Sequence, residues 1–165
     1  LTCCKPLSDA ERVAYTAALF GLDFPLRVEP LVFAIARRLS PSYAGGLWHF
    51  YALSNGGFYM APSADDCFDV RSENGFEGNL SADALGITTC LYAYSQLSFA
   101  ELGSLAERCA EQYHLLREHA LDHREYVVHR DPRPPPILYT RPGTPRVAAS
   151  TLAFTASVMN VKSRV

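Results

Sequence analysis

No run of apolar residues in this chain approaches the roughly 20 that a membrane-crossing helix needs, residues 31–36 being among the longest. Nor does the chain open on the basic, apolar and small-residue order of an export signal, so a soluble, cytoplasmic protein is expected. No C-x-x-C pair occurs among Cys3, Cys4, Cys67, Cys90 and Cys109, and an odd count argues against a secreted disulfide framework. Reduced thiols are expected, with Cys90 and Cys109 as small core residues inside helical patterns. Neither G-x-x-x-x-G-K-[ST] nor G-x-G-x-x-G is present, so Gly45-Gly46 and Gly56-Gly57 read as turn glycines rather than phosphate cradles. There is no internal repeat, and the first residue is Leu1 rather than Met, consistent with a trimmed or partial start.

What is present suits one domain: 165 residues, 48% of them hydrophobic, suffice to bury a sizeable core. The small net charge of −2 hides an asymmetry. Residues 1–129 carry nine Lys and Arg against sixteen Asp and Glu, whereas residues 130–165 carry six against one. An acidic body repels nucleic-acid phosphate and favours a basic protein partner. The expected organisation is therefore a globular domain over 1–129 and a basic, Pro-rich tail over 130–165.

The strongest local signal is at residues 45–62. Two aromatic, β-favouring runs, 47–53 and 58–61, flank Ser54-Asn55-Gly56-Gly57, the composition of a β-hairpin. Trp48, Phe50 and Ala52 alternate with Leu47, His49, Tyr51 and Leu53, and neither set is plainly polar, which suits a central strand covered on both faces. Residues 67–73 alternate as a third strand, and Asn74-Gly75 turns into a short edge strand at 76–80. Ser8 with Glu11 forms a capping box for a first helix, whose inner face is read as Val13, Ala17 and Phe20 and which ends at Gly21. An extended link leads to a second helix from Glu29-Pro30 to Ser40-Pro41. Ser81 caps a third helix, apolar all round, and Ser98 with Glu101 suggests the cap of a fourth, amphipathic one. The expected fold class is α+β: a single domain with an antiparallel meander of three to four strands flanked by about four helices. Prolines at 132–145 suggest an extended linker or disorder over 130–150. Residues 151–158 alternate as an additional strand would, and an unfolded tail or a non-native read-through sequence fits them equally.

Candidate chemistry is sparse. His119 and His123 are spaced i, i+4, but no Glu stands where a zinc-protease motif needs one and no third ligand is evident. A solvated helix end is the expected reading. His49 could pair with Cys67 as a nucleophile dyad if the strands bring them together, yet no orienting third group follows, and a packed or partly exposed strand histidine is favoured. Trp48, Tyr51, Phe58 and Tyr59 could stack bases, but no basic residue interleaves them, which favours core packing. The most informative polar feature is Asp65, Asp66, Asp69, Glu73, Glu77 and Asp83, broken only by Arg71. It is either a solvated face or a docking patch for a basic surface. Strict DNA mimicry fails on magnitude, because a duplex carries one charge per about 1.7 Å of axis.

The string W-H-F-Y-A-L-S-N-G-G-F-Y-M-A-P at 48–62, followed by Asn74-Gly75-Phe76-Glu77-Gly78 and Leu80-Ser81-Ala82-Asp83-Ala84, strongly resembles the ArdB/KlcA type of antirestriction protein found on plasmids and other mobile genetic elements. Glu29-Pro30-Leu31-Val32-Phe33-Ala34 and Gln112-Tyr113-His114-Leu115-Leu116-Arg117 extend the likeness to residues 9–122. Trp48, His49, Phe50, Tyr51, Ser54, Asn55, Gly56, Gly57, Phe58, Tyr59 and Met60 match the family signature, although most look structural. The departures are Leu47, where an aromatic is common, and the tail. The resemblance implies a protein that relieves type I restriction of incoming unmodified DNA without blocking modification, by binding or interference rather than catalysis. The implied partner is the restriction complex or an associated host protein. It implies no catalytic residues, metal or cofactor. The rival readings are a small His/Cys or metal enzyme, and a nucleic-acid binder acting through the tail.

Overall fold

A computed structural model describes residues 2–65, 67–71 and 77–123. The chain begins with a short strand β1 (Cys4–Pro6), unforeseen in so brief a segment, which pairs antiparallel with β2 (Trp48–Leu53). Ser8 then caps α1 (Asp9–Phe20): Glu11 N donates to its hydroxyl and the Glu11 carboxylate accepts from the Ser8 N–H, the reciprocal box expected from sequence. Lys5 donates to the same carboxylate at 2.8 Å. These hydrogen bonds from Lys5 and Ser8 hold the Glu11 carboxyl down at about 2.

The face α1 buries is only in part the expected one: Phe20 lies on it as expected, whereas Val13 and Ala17 do not. Thr16 and Phe20 point inward, while Val13 is 66% exposed and Ala17 is also exposed. The helix is rotated because Phe20 enters an aromatic cluster, stacking on Tyr94 at 6.0 Å and meeting Phe58 edge-on at 6.4 Å. The link after Gly21 is not extended either. Phe24–Val28 winds as one π-helical turn, burying Phe24 and Val28, and runs straight into α2 (Glu29–Leu39).

The hairpin forms as expected between β2 and β3 (Phe58–Pro62), with Tyr51 opposite Tyr59 and Trp48 opposite Pro62. Its turn uses Gly56, at φ +88°, for the left-handed step, while the Asn55 side chain accepts from Gly57 N–H at 3.1 Å. By pairing, β2 is central in the order β1-β2-β3, but His49 on it is exposed. The strand covered on both faces is β3, buried at all five positions.

The α+β class and antiparallel pairing follow expectation, but the strands form two sheets rather than one meander. After β3 the chain makes a separate hairpin, β4 (Phe68–Arg71) with β5 (Glu77–Leu80), register Phe68 opposite Leu80. The reason lies in α3 (Ala82–Ser98), which is packed against β3. Tyr94 Oη donates to Phe58 O at 2.9 Å, and Cys90 Sγ sits 3.5 Å from Met60 N and 3.7 Å from Met60 O. Backbone groups of β3 that β2 leaves free are thus satisfied by a helix, and no further strand is needed there. Burial raises the Cys90 thiol to about 12, as befits a core residue.

The fourth helix starts later than the Ser98 signal suggested. Ser98 ends α3, its hydroxyl donating to Ser95 O at 2.8 Å, and α4 (Ser104–Asp122) begins after Gly103. Its buried face, Leu105, Cys109, Tyr113 and Leu116, and its exposed Glu107, Glu111 and Glu118 match the amphipathic reading.

Gly86 lets α3 approach β3 this closely. A Cβ there would fall 2.5 Å from both Ala61 Cβ and Met60 O, contacts that neither the strand backbone nor the helix can relieve by a rotamer change. Gly86→Ala is expected to destabilise the fold by about 1–3 kcal/mol through overpacking, read as a fall of several degrees in Tm; an unchanged Tm would show that the helix can move away freely.

Candidate functional site

The expected acidic patch divides. Asp65, Asp69 and Glu77 are exposed on or beside the β4–β5 hairpin. On β4 strand alternation sets this: Phe68 and Val70 face inward, so Asp69 and Arg71 face outward, with Glu77 opposite Arg71. Arg71 pairs across the strands with Glu77 at 3.6 Å, both 71% exposed, so this pair adds little to stability. Among the described residues, no basic side chain pairs with Asp65 or Asp69. Asp66 and Glu73, with Asn74, Gly75 and Phe76, lie outside the described residues.

Asp83 stands apart in the first turn of α3, where Ser81 caps the helix by accepting from Ala84 N–H. It is half-buried. Tyr59 Oη donates to Asp83 Oδ1 at 2.8 Å, and His123 Nε2 shares a hydrogen bond with Oδ2 at 3.0 Å. Burial alone would raise this carboxyl, but the His123 and Tyr59 hydrogen bonds outweigh it and bring it below its ordinary value. The same burial and the neighbouring carboxylate push Tyr59 far upward, so its hydroxyl remains a donor.

His119 completes the cluster from α4. It is 8% exposed, stacked on the Tyr59 ring at 5.6 Å and edge-on to His123 at 6.4 Å. Neither ring nitrogen makes a close hydrogen bond, the Thr2 backbone giving only a weak polar contact. The pair is therefore no solvated helix end: His119 is buried and His123 clasps Asp83. The i, i+4 spacing was visible in sequence, but the carboxylate that gives it meaning comes from a distant helix. Among the described residues, no group of three or more His, Cys, Asp or Glu is arranged to hold a metal. His49 lies opposite Ala61 on β2, whereas Cys67 precedes β4 of the other sheet, and no hydrogen bond joins them among the described residues.

The signature residues mostly hold the fold together. Trp48 Nε1 donates to Tyr43 Oη at 2.6 Å, and its ring meets Phe33 at 5.3 Å. Phe50 and Phe58 meet edge-on at 5.7 Å, and Tyr51 stacks on Tyr59 at 4.8 Å. Ser54 Oγ accepts from Cys3 N–H at 3.1 Å. Asn55 Nδ2 donates to Leu115 O at 2.9 Å and Glu118 Oε2 at 3.1 Å, fastening the turn to α4. Gln112 Nε2 donates to Gly56 O at 3.3 Å, and a Cβ on Gly57 would strike Leu53 Cδ1 at 2.9 Å and Leu115 Cβ at 3.0 Å. Met60 is fully buried.

These features define an α+β protein built on one hairpin packed against α3 and α4, with exposed acidic side chains on a second hairpin. The chain belongs to the antirestriction protein family, whose family model, described as "Antirestriction protein", matches residues 41–129. It is 40% identical over 121 residues to an antirestriction protein KlcA of Escherichia coli, covering 72% of this chain and 85% of that protein. A second KlcA of Escherichia coli is 45% identical over 124 residues, covering 72% and 84%. The fold is similar to a solved structure at TM-score 0.70 and 38% identity, covering 77% of this chain and 91% of that one. That structure comes from work describing a novel fold for the KlcA and ArdB proteins, with antirestriction activity against type I DNA restriction systems in vivo but not in vitro.

Two outcomes test the site's wiring. Asn55→Ala removes two of the three hydrogen bonds described between the turn and α4, leaving Gln112 to Gly56 O, and is expected to cost about 1–3 kcal/mol, measured by urea unfolding. Burial lowers the His119 pKa below its ordinary 6.5, so the unfolded chain binds the extra proton more readily. Stability is then expected to fall as pH drops below 6.5. The Asp83 contribution, from a pKa lowered beneath 3.8, is lost only at still lower pH. His119→Phe keeps the stack on Tyr59 and should flatten the urea midpoint between pH 7.5 and 5; an equal slope in the variant would assign that loss to other groups.

Proposed function

We propose that this chain relieves cleavage of incoming unmodified DNA by type I restriction enzymes, leaves modification intact, and does so by binding rather than catalysis. The observation that carries this reading is the activity of its structural relatives in vivo but not in vitro. An inhibitor that bound the restriction enzyme tightly on its own would act in a purified reaction. Dependence on the cell points to a further protein, or to a state of the restriction complex found only there.

The surface proposed to meet that partner is the acidic hairpin, Asp65, Asp69 and Glu77, with Asp66 and Glu73 beside them in sequence. Exposed carboxylates of one sign attract a basic protein face and speed the encounter, an effect that salt weakens. Asp83 is not proposed to take part, because Tyr59 and His123 already engage its carboxylate. The globular unit doing this work is proposed to be residues 1–129, and the site of action the cytoplasm, where restriction enzymes meet incoming DNA. No helix among the described residues is long and apolar enough to cross a membrane.

Plating of unmodified phage on a host with an active type I system tests both parts. The full chain should raise plating, and a soluble Asp65→Lys, Asp69→Lys, Glu77→Lys variant with unaltered Tm should lose at least roughly tenfold of that rise, the equivalent of about 1.4 kcal/mol of binding. No rise from the wild-type chain would overturn the activity. Full protection by the variant would remove the hairpin from it.

A further inference from the structure

The rotation of α1 leaves an open cleft of about 580 Å³ between α1, the π-helical turn, α2 and the start of β2. Its floor and walls include Phe24, Pro25, Phe33, Trp48 and Phe50. Its rim holds three apolar side chains that face water: Val13, 66% exposed, Leu22, 80%, and Leu47, 81%. An uncovered apolar rim over an aromatic floor is a surface that gains by being covered.

Glu29 adds a polar demand. Its carboxylate lines the cleft and makes no hydrogen bond or ion pair among the described residues. Burial raises its pKa against the opposing charge of Arg12. Arg12 does not satisfy it, being placed over the Phe50 ring at 5.4 Å and paired with Asp9 at 3.5 Å. A cation with planar donors, delivered beside apolar groups, is the complement of this cleft.

The chain itself carries such a segment. Residues 132–142 read P-R-P-P-P-I-L-Y-T-R-P, proline-rich, apolar at its centre and bracketed by arginines. Polyproline II segments dock into aromatic-lined grooves because their backbone is already extended and loses little entropy on binding. Reach is adequate. The start of α4 is tied close to the cleft, Arg108 pairing with Asp23 at 3.4 Å next to Phe24, and its end is tied at His123 to Asp83. The 19 residues of α4 span about 28 Å. Extended chain from His123 to Pro134 covers up to about 36 Å, enough to return along the helix.

We propose that residues 134–141 dock into this cleft of their own chain, prolines and Tyr139 on the aromatic floor and Arg141 on the Glu29 carboxylate. The cleft then belongs to a self-contact, and the tail, which lies beyond the family match, serves as its cover.

Methyl and indole NMR on the full chain tests this, since Leu22 and Leu47 mark the rim and Trp48, the sole tryptophan, marks the floor. The expected result is a set of nuclear Overhauser contacts from the Tyr139 ring to Leu22 or Leu47 methyls, unchanged on dilution. Pro134→Ala, Pro135→Ala, Pro136→Ala and, separately, Arg141→Gln should abolish them and shift the Leu47 and Trp48 signals while core signals such as Leu91 stay in place. Glu29→Gln should shift the same set, and Glu29→Gln with Arg141→Gln should add nothing further. Absence of the contacts in the full chain, or tail variants that leave Leu22, Leu47 and Trp48 unmoved, would overturn the proposal. Contacts that fade on dilution would overturn it too, because the occupant would then be a second copy.

Discussion

The architecture depends on how the free side of β3 is closed. A strand that pairs with one neighbour leaves a row of backbone donors and acceptors, and burying them unpaired is costly. Here a helix closes it. Gly86 removes the side chain that would hold α3 away from Ala61, Cys90 comes within 3.5 Å of Met60 N, and Tyr94 gives its hydroxyl to Phe58 O. Each member needs the others: without the glycine the thiol and phenol could not reach, and without those groups the close approach would bury bare peptide. The apolar-all-round character of α3 follows from this position, with β3 on one side and α2 and α4 on others.

That closure also explains what sequence could and could not convey. Local signals performed well: the Ser8 capping box, the stop at Gly21, the Asn55-Gly56 turn and the Ser81 cap all depend on residues within a few positions of each other. Errors arose where a distant partner decided. Alternation over 67–80 is the same whether its strands extend the first sheet or pair alone, and only α3 occupying β3 distinguishes them. Val13 and Ala17 have the spacing of an inner face, yet Phe20 sets the rotation of α1 through Phe58 and Tyr94, residues that lie 38 and 74 positions away. The mis-set start of α4 has a similar origin, since the Ser98 hydroxyl met Ser95 O instead of opening a new helix.

The candidate site shows the same division. The six carboxylates were legible as a group, but charge composition could not reveal that one of them is engaged internally. Asp83 receives Tyr59 from β3 and His123 from the end of α4, so it joins three elements at one point. His119 packs beside them without close hydrogen bonds, a buried imidazole stacked on Tyr59 whose burial disfavours the charged form. This corner is consequently one place where acid is expected to weaken the fold, and it includes Tyr59 of the signature strand. In contrast, Asp65 and Asp69 are exposed and make no internal bonds among the described residues.

Tyr59, Met60 and Phe58 are almost wholly buried, Trp48 is locked by Tyr43, and Asn55 and Gly57 are fixed by α4. Residues so constrained preserve the fold, and their presence in this chain accounts for its likeness to its relatives. They are not available to grip another protein. Packing leaves free, by contrast, the Asp65 and Asp69 carboxylates and the Val13, Leu22 and Leu47 side chains of the cleft rim, which hold none of the hairpin's contacts.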